Sequence, residues 1–171
     1  YNAQTMEGAT LYQITTNQGR RASSAQAYLR PALTRKNLIV ETSAYVQKLC
    51  FEGTRASGVH YHHRGETKAA HCAAEVILAA GAINTPHLLQ LSGIGPAALL
   101  RAQNIEVRSD SPQVGQNLSD HLGIDLPFKA SRPSLNQTLS SWPKKLMVGL
   151  QYLLFREGPL SLSLNQGGGF T

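Results

Sequence analysis

With 171 residues and a mass of 18.5 kDa, 42% hydrophobic, 6% aromatic and 15% charged, with 15 Gly, 8 Pro and two Cys, the chain has an ordinary soluble globular composition. A collagen, a disordered tail and a disulfide-dense module are excluded, and the length suffices for one domain or parts of two. The net charge of +6 is scattered in ones and twos, as at Arg20-Arg21, Arg35-Lys36 and Lys144-Lys145; the concentrated basic face that nucleic-acid binding needs is missing, and solubility accounts for the charge.

Residues 1–22 read as loop around a short extended piece, Leu11-Tyr12-Gln13-Ile14. Ser23 or Ser24 is placed to cap a helix carrying Ala25, Ala27, Tyr28 and Leu29, which Pro31 interrupts or restarts. A strand is expected over residues 37–42. Three β-prone segments follow, 44–51, 55–63 and 67–80, separated at Glu52-Gly53 and Arg64-Gly65-Glu66, the pattern of an antiparallel meander. The end of the third, Glu75-Val76-Ile77-Leu78-Ala79-Ala80, is continuously apolar, as in a strand buried on both faces of a parallel sheet.

Thr85-Pro86 makes a helix start, with a hydroxyl cap before proline, and places Leu88, Leu89 and Leu91 inwards until Ser92-Gly93. Pro96 opens a second helix, which Asn104 closes. Residues 105–108 read as a short strand, 112–121 as a polar loop and 124–128 as a strand. A helix over 143–157 carries Leu146, Leu150, Leu153 and Leu154 at core-facing spacing and stops at Gly158-Pro159. Its apolar run spans about half of the roughly 20 residues a membrane crossing needs, so it is read as scaffold. The first residues hold no initiator methionine and no basic-then-apolar leader; the chain is expected to begin inside a longer protein, and targeting is left open.

Several motifs imitate function. Gly93-Ile94-Gly95-Pro96-Ala97-Ala98 has the letters of a dinucleotide fingerprint, but it joins two expected helices instead of following a buried strand. His60 and His62 fall on one strand face with His63 opposite, and His71 or Cys72 is in reach only if the hairpin pairs them; solvated surface, not metal, is the expectation. Cys50 and Cys72 pair only if their strands align, and free thiols are preferred. The sequons at Asn117 and Asn136 matter only in a secretory setting, and no G-x-S-x-G or H-E-x-x-H occurs.

The run Gly81-Ala82-Ile83-Asn84-Thr85-Pro86-His87-Leu88-Leu89-Gln90-Leu91-Ser92-Gly93-Ile94-Gly95-Pro96 resembles the second signature of the glucose-methanol-choline (GMC) family of FAD-dependent oxidoreductases. Flanking pieces agree in order: Gly19-Arg20-Arg21-Ala22-Ser23, Ala27-Tyr28-Leu29-Arg30-Pro31, Phe51-Glu52-Gly53, Val114-Gly115-Gln116-Asn117-Leu118-Ser119-Asp120-His121 and Gly168-Gly169-Phe170. Within the family the chain is most similar to bacterial choline and alcohol dehydrogenases.

The resemblance implies a mixed α/β fold: residues 1–122 as the middle of a Rossmann-like FAD-binding domain with an antiparallel meander, and 123–171 as the start of an α+β substrate domain. It implies FAD as cofactor and oxidation of a primary alcohol, a hydride passing to the flavin while a histidine takes the hydroxyl proton. That histidine is expected beyond Thr171 and the pyrophosphate-binding unit ahead of Tyr1, so no catalytic residue is expected here and the chain alone is expected to be inactive. By the same resemblance, Val46 offers its backbone to the adenine ring, and Ala80, Gly81 and Ala82 let the adenosine diphosphate part approach; tight helix-sheet packing is the other reading of the alanines. Asp120 and His121 are taken as structural or near the cofactor. Choline-active members carry a glutamate where this chain has Gln166, and a neutral amide disfavours a quaternary ammonium. The expected partners are a small alcohol and an electron acceptor, either oxygen or a quinone or other carrier, with no nucleic acid and no transmembrane segment. A catalytically inert binding or structural module on the same scaffold is the competing reading.

Overall fold

A computed structural model of the chain describes residues 7–132, 134–162 and 167–170. In chain order, β1 (Gly8–Leu11), β2 (Thr16–Asn17) and β3 (Arg20–Arg21) precede a π-helical turn at Ala25–Leu29 that runs into α1 (Arg30–Ala32). Then come β4 (Tyr45–Glu52), β5 (Arg55–His63), β6 (Glu66–His71), α2 (Gly81–Leu91), β7 (Ile94–Gly95), α3 (Ala97–Ala102) and β8 (Ser109–Asp110). The chain continues through α4 (Leu135–Thr138), α5 (Trp142–Phe155), a 3-10 turn at Pro159–Ser161 and β9 (Gly167–Phe170). Two compact units result: Glu41–Ile124, and Tyr1–Val40 together with Asp125–Thr171.

The first of these units is built on the meander, a three-stranded antiparallel sheet in the order β4-β5-β6. Its turns follow from their residues. Between His63 and Glu66, which are paired, Arg64 and Gly65 both have positive φ, at 53° and 87°, as a two-residue hairpin of the primed type requires. Between Glu52 and Arg55 only Gly53 is left-handed, at 61°. Two irregularities, between Val46 and Lys48 and between Cys50 and Phe51, interrupt the β4-β5 register, and bulges of this kind bend a strand.

β6 stops at His71, short of the strand expected to run to residue 80. Residues 75–79 belong to no strand ladder among the described residues, and Ile77 is 80% exposed. The reading of a strand buried on both faces is corrected: such a strand needs a neighbour on each side, and the described residues supply none. Residues 37–42 likewise join no ladder, with Ile39 at 90% exposure, and residues 124–128 form no strand.

α2 starts four residues before the expected Thr85-Pro86, keeping Pro86 inside. The proline removes one internal hydrogen bond, but Leu88, buried at the face toward β4, and the packing of α2 on that strand hold the helix together. Leu91 faces outwards more than expected. α3 follows Pro96 as expected and closes at Asn104, whose φ is 57°. Residues 105–108, expected as a strand, form none; a ladder lies just after them, in the parallel pairing of Ser109–Asp110 with Ile94–Gly95. Leu49, Leu88, Ala97 and Leu100 form this unit's buried apolar core.

In the other unit β1 pairs antiparallel with β9, and β2 with β3 across Gln18 and Gly19. α5 begins with Pro143 in its first turn and ends on left-handed Arg156. Its leucines do not form the core stripe that the spacing suggests: Leu146, Leu150, Leu153 and Leu154 are all exposed. The stripe runs instead through buried Val148, half-buried Tyr152 and Arg156, whose guanidinium lies 5.0 Å from the Tyr152 ring centre. Four-residue steps put these three on one face. No helix among the described residues is long and apolar enough to cross a membrane.

Candidate functional site

The site grows from the contact between an edge strand and a helix. Among the described residues β4 has a strand neighbour, β5, on one side only, so backbone groups on its other edge need partners elsewhere. One partner is Ser92, just past α2 and fully buried. Its hydroxyl donates to the Leu88 carbonyl at 2.6 Å and accepts the Leu49 N–H at 2.9 Å, clasping strand to helix.

Further along the same edge, Ala44, Tyr45 and Val46 face Ala80, Asn84, His87, Leu88 and Leu91 across a recess of about 230 Å³. The adjacent face of α2, with Ala82, Ile83, Pro86, His87 and Gln90, lines a second recess of about 490 Å³ against Gly115, Gln116, Asn117, Leu118 and Ser119. Gln90 ties that loop to the helix by donating to the Val114 carbonyl at 3.0 Å. His87 belongs to both recesses. Of the residues singled out from sequence, Val46 and Ala80 therefore share one recess and Ala82 lines the next. Gly81 opens α2 at φ 86°, with open space where a Cβ would stand. Gln166 lies outside the described residues.

α2 has no acidic side chain in its first turn, so its N-terminal backbone N–H groups keep their attraction for negative charge. The glycine-rich run after it behaves differently. Gly93 (φ 88°) is required because a Cβ would stand 2.4 Å from the Glu106 carbonyl oxygen, and the Ala97 N–H opening α3 already donates to Asp110 Oδ1 at 3.0 Å. A carboxylate sits where a phosphate would have to bind.

A polar cluster that sequence reasoning missed stands behind Val46. Glu41 Oε2 accepts the Tyr61 hydroxyl at 2.8 Å, and Glu41 Oε1 lies 2.8 Å from His63 Nδ1. His63 is buried, and its Nδ1 has no aligned hydrogen-bond partner among the described residues; the contact is an electrostatic one, and Tyr61 makes the directional bond. The hydrogen bond from its hydroxyl to the Glu41 carboxylate, aided by desolvation and the carboxylate charge, raises the Tyr61 phenol above its ordinary value.

His60 and His62 are exposed on the face opposite His63, and their register partners Ala69 and Thr67 keep His71 away from them. No three His, Cys, Asp or Glu side chains among the described residues are grouped to hold a metal. Cys50 and Cys72 are free. The register runs from Cys50 through Gly58 to His71, so the two cysteines stand about two strand spacings apart, roughly 9–10 Å, beyond the ~7 Å Cα separation a disulfide tolerates. Asp120 and His121 are fully exposed, with 3.7 Å between His121 Nδ1 and Asp120 Oδ1.

Residues 1–123 match the family described as GMC oxidoreductase. An oxygen-dependent choline dehydrogenase of Staphylococcus aureus is 42% identical over 165 residues, covering 96% of this chain and 29% of that protein. Among solved structures, an FAD-dependent oxidoreductase from Chaetomium thermophilum superposes with a TM-score of 0.81 at 27% identity, over 94% of this chain and 29% of that one. A formate oxidase from Aspergillus oryzae gives 0.80 at 29% identity, over 96% and 29%. The chain thus spans less than a third of the length of these relatives.

Proposed function

The chain belongs to the GMC oxidoreductase family, and on that premise we propose that its two recesses receive the adenosine diphosphate end of FAD in an enzyme that oxidises a small primary alcohol. The observation that carries this reading is the convergence of Val46 and Ala80 on one recess at the open edge of β4. An adenine presents a donor beside an acceptor, and so does the free edge of a strand. The recess of about 230 Å³ is smaller than the roughly 300–1,000 Å³ of a whole-ligand pocket, which suits one heterocycle of a longer cofactor. Gly81, with no Cβ, and the uncompensated start of α2 beside it suit an anionic neighbour. Tight helix-sheet packing alone does not account for Ala80 and Ala82, because both line open recesses.

Bound FAD would supply the hydride acceptor for the alcohol carbon. The residues of this chain bind and orient: Val46 by its backbone, Ala80, Gly81 and Ala82 by leaving room, and Ser92 by holding α2 against β4. The hydroxyl proton is assigned to a histidine in the part of the relatives that this chain does not span; Asp120 and His121, solvated and loosely spaced, serve the loop. We read residues 1–122 as the middle of the FAD-binding domain and 123–171 as the start of the substrate domain, which the family match over 1–123 supports. Gln166, neutral where choline-active members carry glutamate, favours an alcohol without a quaternary ammonium.

Because the proton-accepting histidine is assigned to the part of the relatives that this chain does not span, the 171 residues alone are read as not turning over. Expression of the complete reading frame tests the proposal: it should purify with flavin absorbance, release FAD, and bleach anaerobically with a primary alcohol, oxygen then deciding the acceptor. A colourless protein inert to an alcohol panel would refute it. Alcohol oxidation by the isolated 171-residue chain would refute the inactivity.

A further inference from the structure

We propose that Glu41 is a positioning residue for the adenosine end of the cofactor, acting through a left-handed turn at Ser43. The inference rests on the FAD reading above. Ser43 has a φ of 57°, a conformation that a residue with a Cβ keeps only when its surroundings enforce it. The next three residues, Ala44 to Val46, are the strand side of the smaller recess. A relaxed turn at Ser43 would re-aim that wall.

The enforcing contacts lie two residues before the turn. Glu41 gives one carboxylate oxygen to the Tyr61 hydroxyl and holds the other against His63 Nδ1, each at 2.8 Å. Both partners stand on β5, and Tyr61 is the register partner of Val46. The carboxylate therefore ties the chain before the turn to the same rung of the sheet that carries the adenine-facing residue after it. Across the turn, residues 41 and 46 are fixed to one point on β5. Removal of the carboxylate takes away the acceptor of the Tyr61 hydroxyl and the charge that approaches the buried His63 Nδ1, so the clasp is lost with it.

The test uses the apo form of the protein expressed from its complete reading frame, with FAD affinity read from flavin fluorescence and ADP affinity from calorimetry. ADP carries the adenosine end without the flavin. All measurements are made at a temperature where circular dichroism shows each variant folded. Glu41→Ala should weaken FAD and ADP by the same factor, about tenfold, the equilibrium effect of one lost charge-assisted hydrogen bond. Tyr61→Phe should weaken both less, and Glu41→Gln, whose amide oxygen still accepts the Tyr61 hydroxyl, should restore most of the affinity. Unchanged FAD affinity in folded Glu41→Ala overturns the inference, as does a loss for FAD without a loss for ADP. Should Glu41→Ala fail to fold, Tyr61→Phe decides: unchanged affinities overturn the role. Wild-type protein that takes up no FAD fails before any substitution and overturns the flavoprotein reading, and this inference with it.

Discussion

Replacing Ser92 with alanine isolates the clasp on which the site depends. The hydroxyl makes two buried contacts, accepting the Leu49 N–H and donating to the Leu88 carbonyl, and they are not equivalent. The Leu88 carbonyl also accepts the backbone N–H of Ser92 at 3.1 Å, so it stays satisfied. The Leu49 N–H sits in a residue only 6% exposed and is left as an orphaned donor, which costs about 1–3 kcal/mol. Against a total stability of about 5–15 kcal/mol the loss is large, and each kcal/mol lowers Tm by about 2–4 °C in a chain of this size. Denaturant unfolding reads the stability, and amide hydrogen exchange of Leu49 reads the cause: its protection should fall together with the midpoint. Ser92→Cys, similar in volume but with a weak acceptor sulfur, should fall between wild type and alanine. If Ser92→Ala unfolds within ~0.5 kcal/mol of wild type, the range of unremarkable substitutions, and Leu49 keeps its protection, the clasp does not hold α2 to β4.

Three further outcomes follow from the geometry. Gly58→Ala would put a Cβ 2.1 Å from the Ala70 carbonyl oxygen, a rigid backbone atom, so thermal unfolding should show a loss of about 1–3 kcal/mol or more; an unchanged Tm would refute the close approach of β5 and β6. Asp110→Ala removes the acceptor for the first N–H of α3 and should cost about 1 kcal/mol, as lost helix caps do, whereas Asp110→Asn should retain most of it. The raised Tyr61 phenol contributes stability that is complete below its unfolded value near 10 and disappears as pH climbs through the higher folded value. Tyr61→Phe should remove that part of the alkaline decline, and identical pH profiles for the two proteins would contradict the Glu41 hydrogen bond.

What local chemistry decides was legible in the residues alone. Gly53 and Arg64-Gly65 marked the two hairpin turns, Pro96 and Asn104 bracketed α3, Pro143 opened α5, and each acts through its own φ preference or missing N–H, which needs no distant partner. The sixteen-residue run from Gly81 pointed to the family for the same reason, since its order of residues is a property of the chain. Periodicity was less dependable: leucine spacing on α5 suggested a buried face, but burial went to Val148 and its four-residue neighbours, because which face is covered depends on what lies opposite.

The strands expected at 37–42, 75–80 and 124–128 show the same limit. Apolar runs specify a wish for partners, and a ladder exists only where another strand supplies its hydrogen bonds. Glu41, Ser92 and Asp110 carried no signal in sequence because their partners stand 20, 43 and 13 residues away. An isolated serine or carboxylate has the same local chemistry whether it is solvated or is the one oxygen that satisfies a buried N–H. The places of the hairpin turns, the limits of α3 and family membership were thus determined by the sequence itself. Only the tertiary structure decided that Val46 and Ala80 face one recess and that a serine past the end of α2 keeps it closed, since both depend on distances between residues that the chain order does not contain.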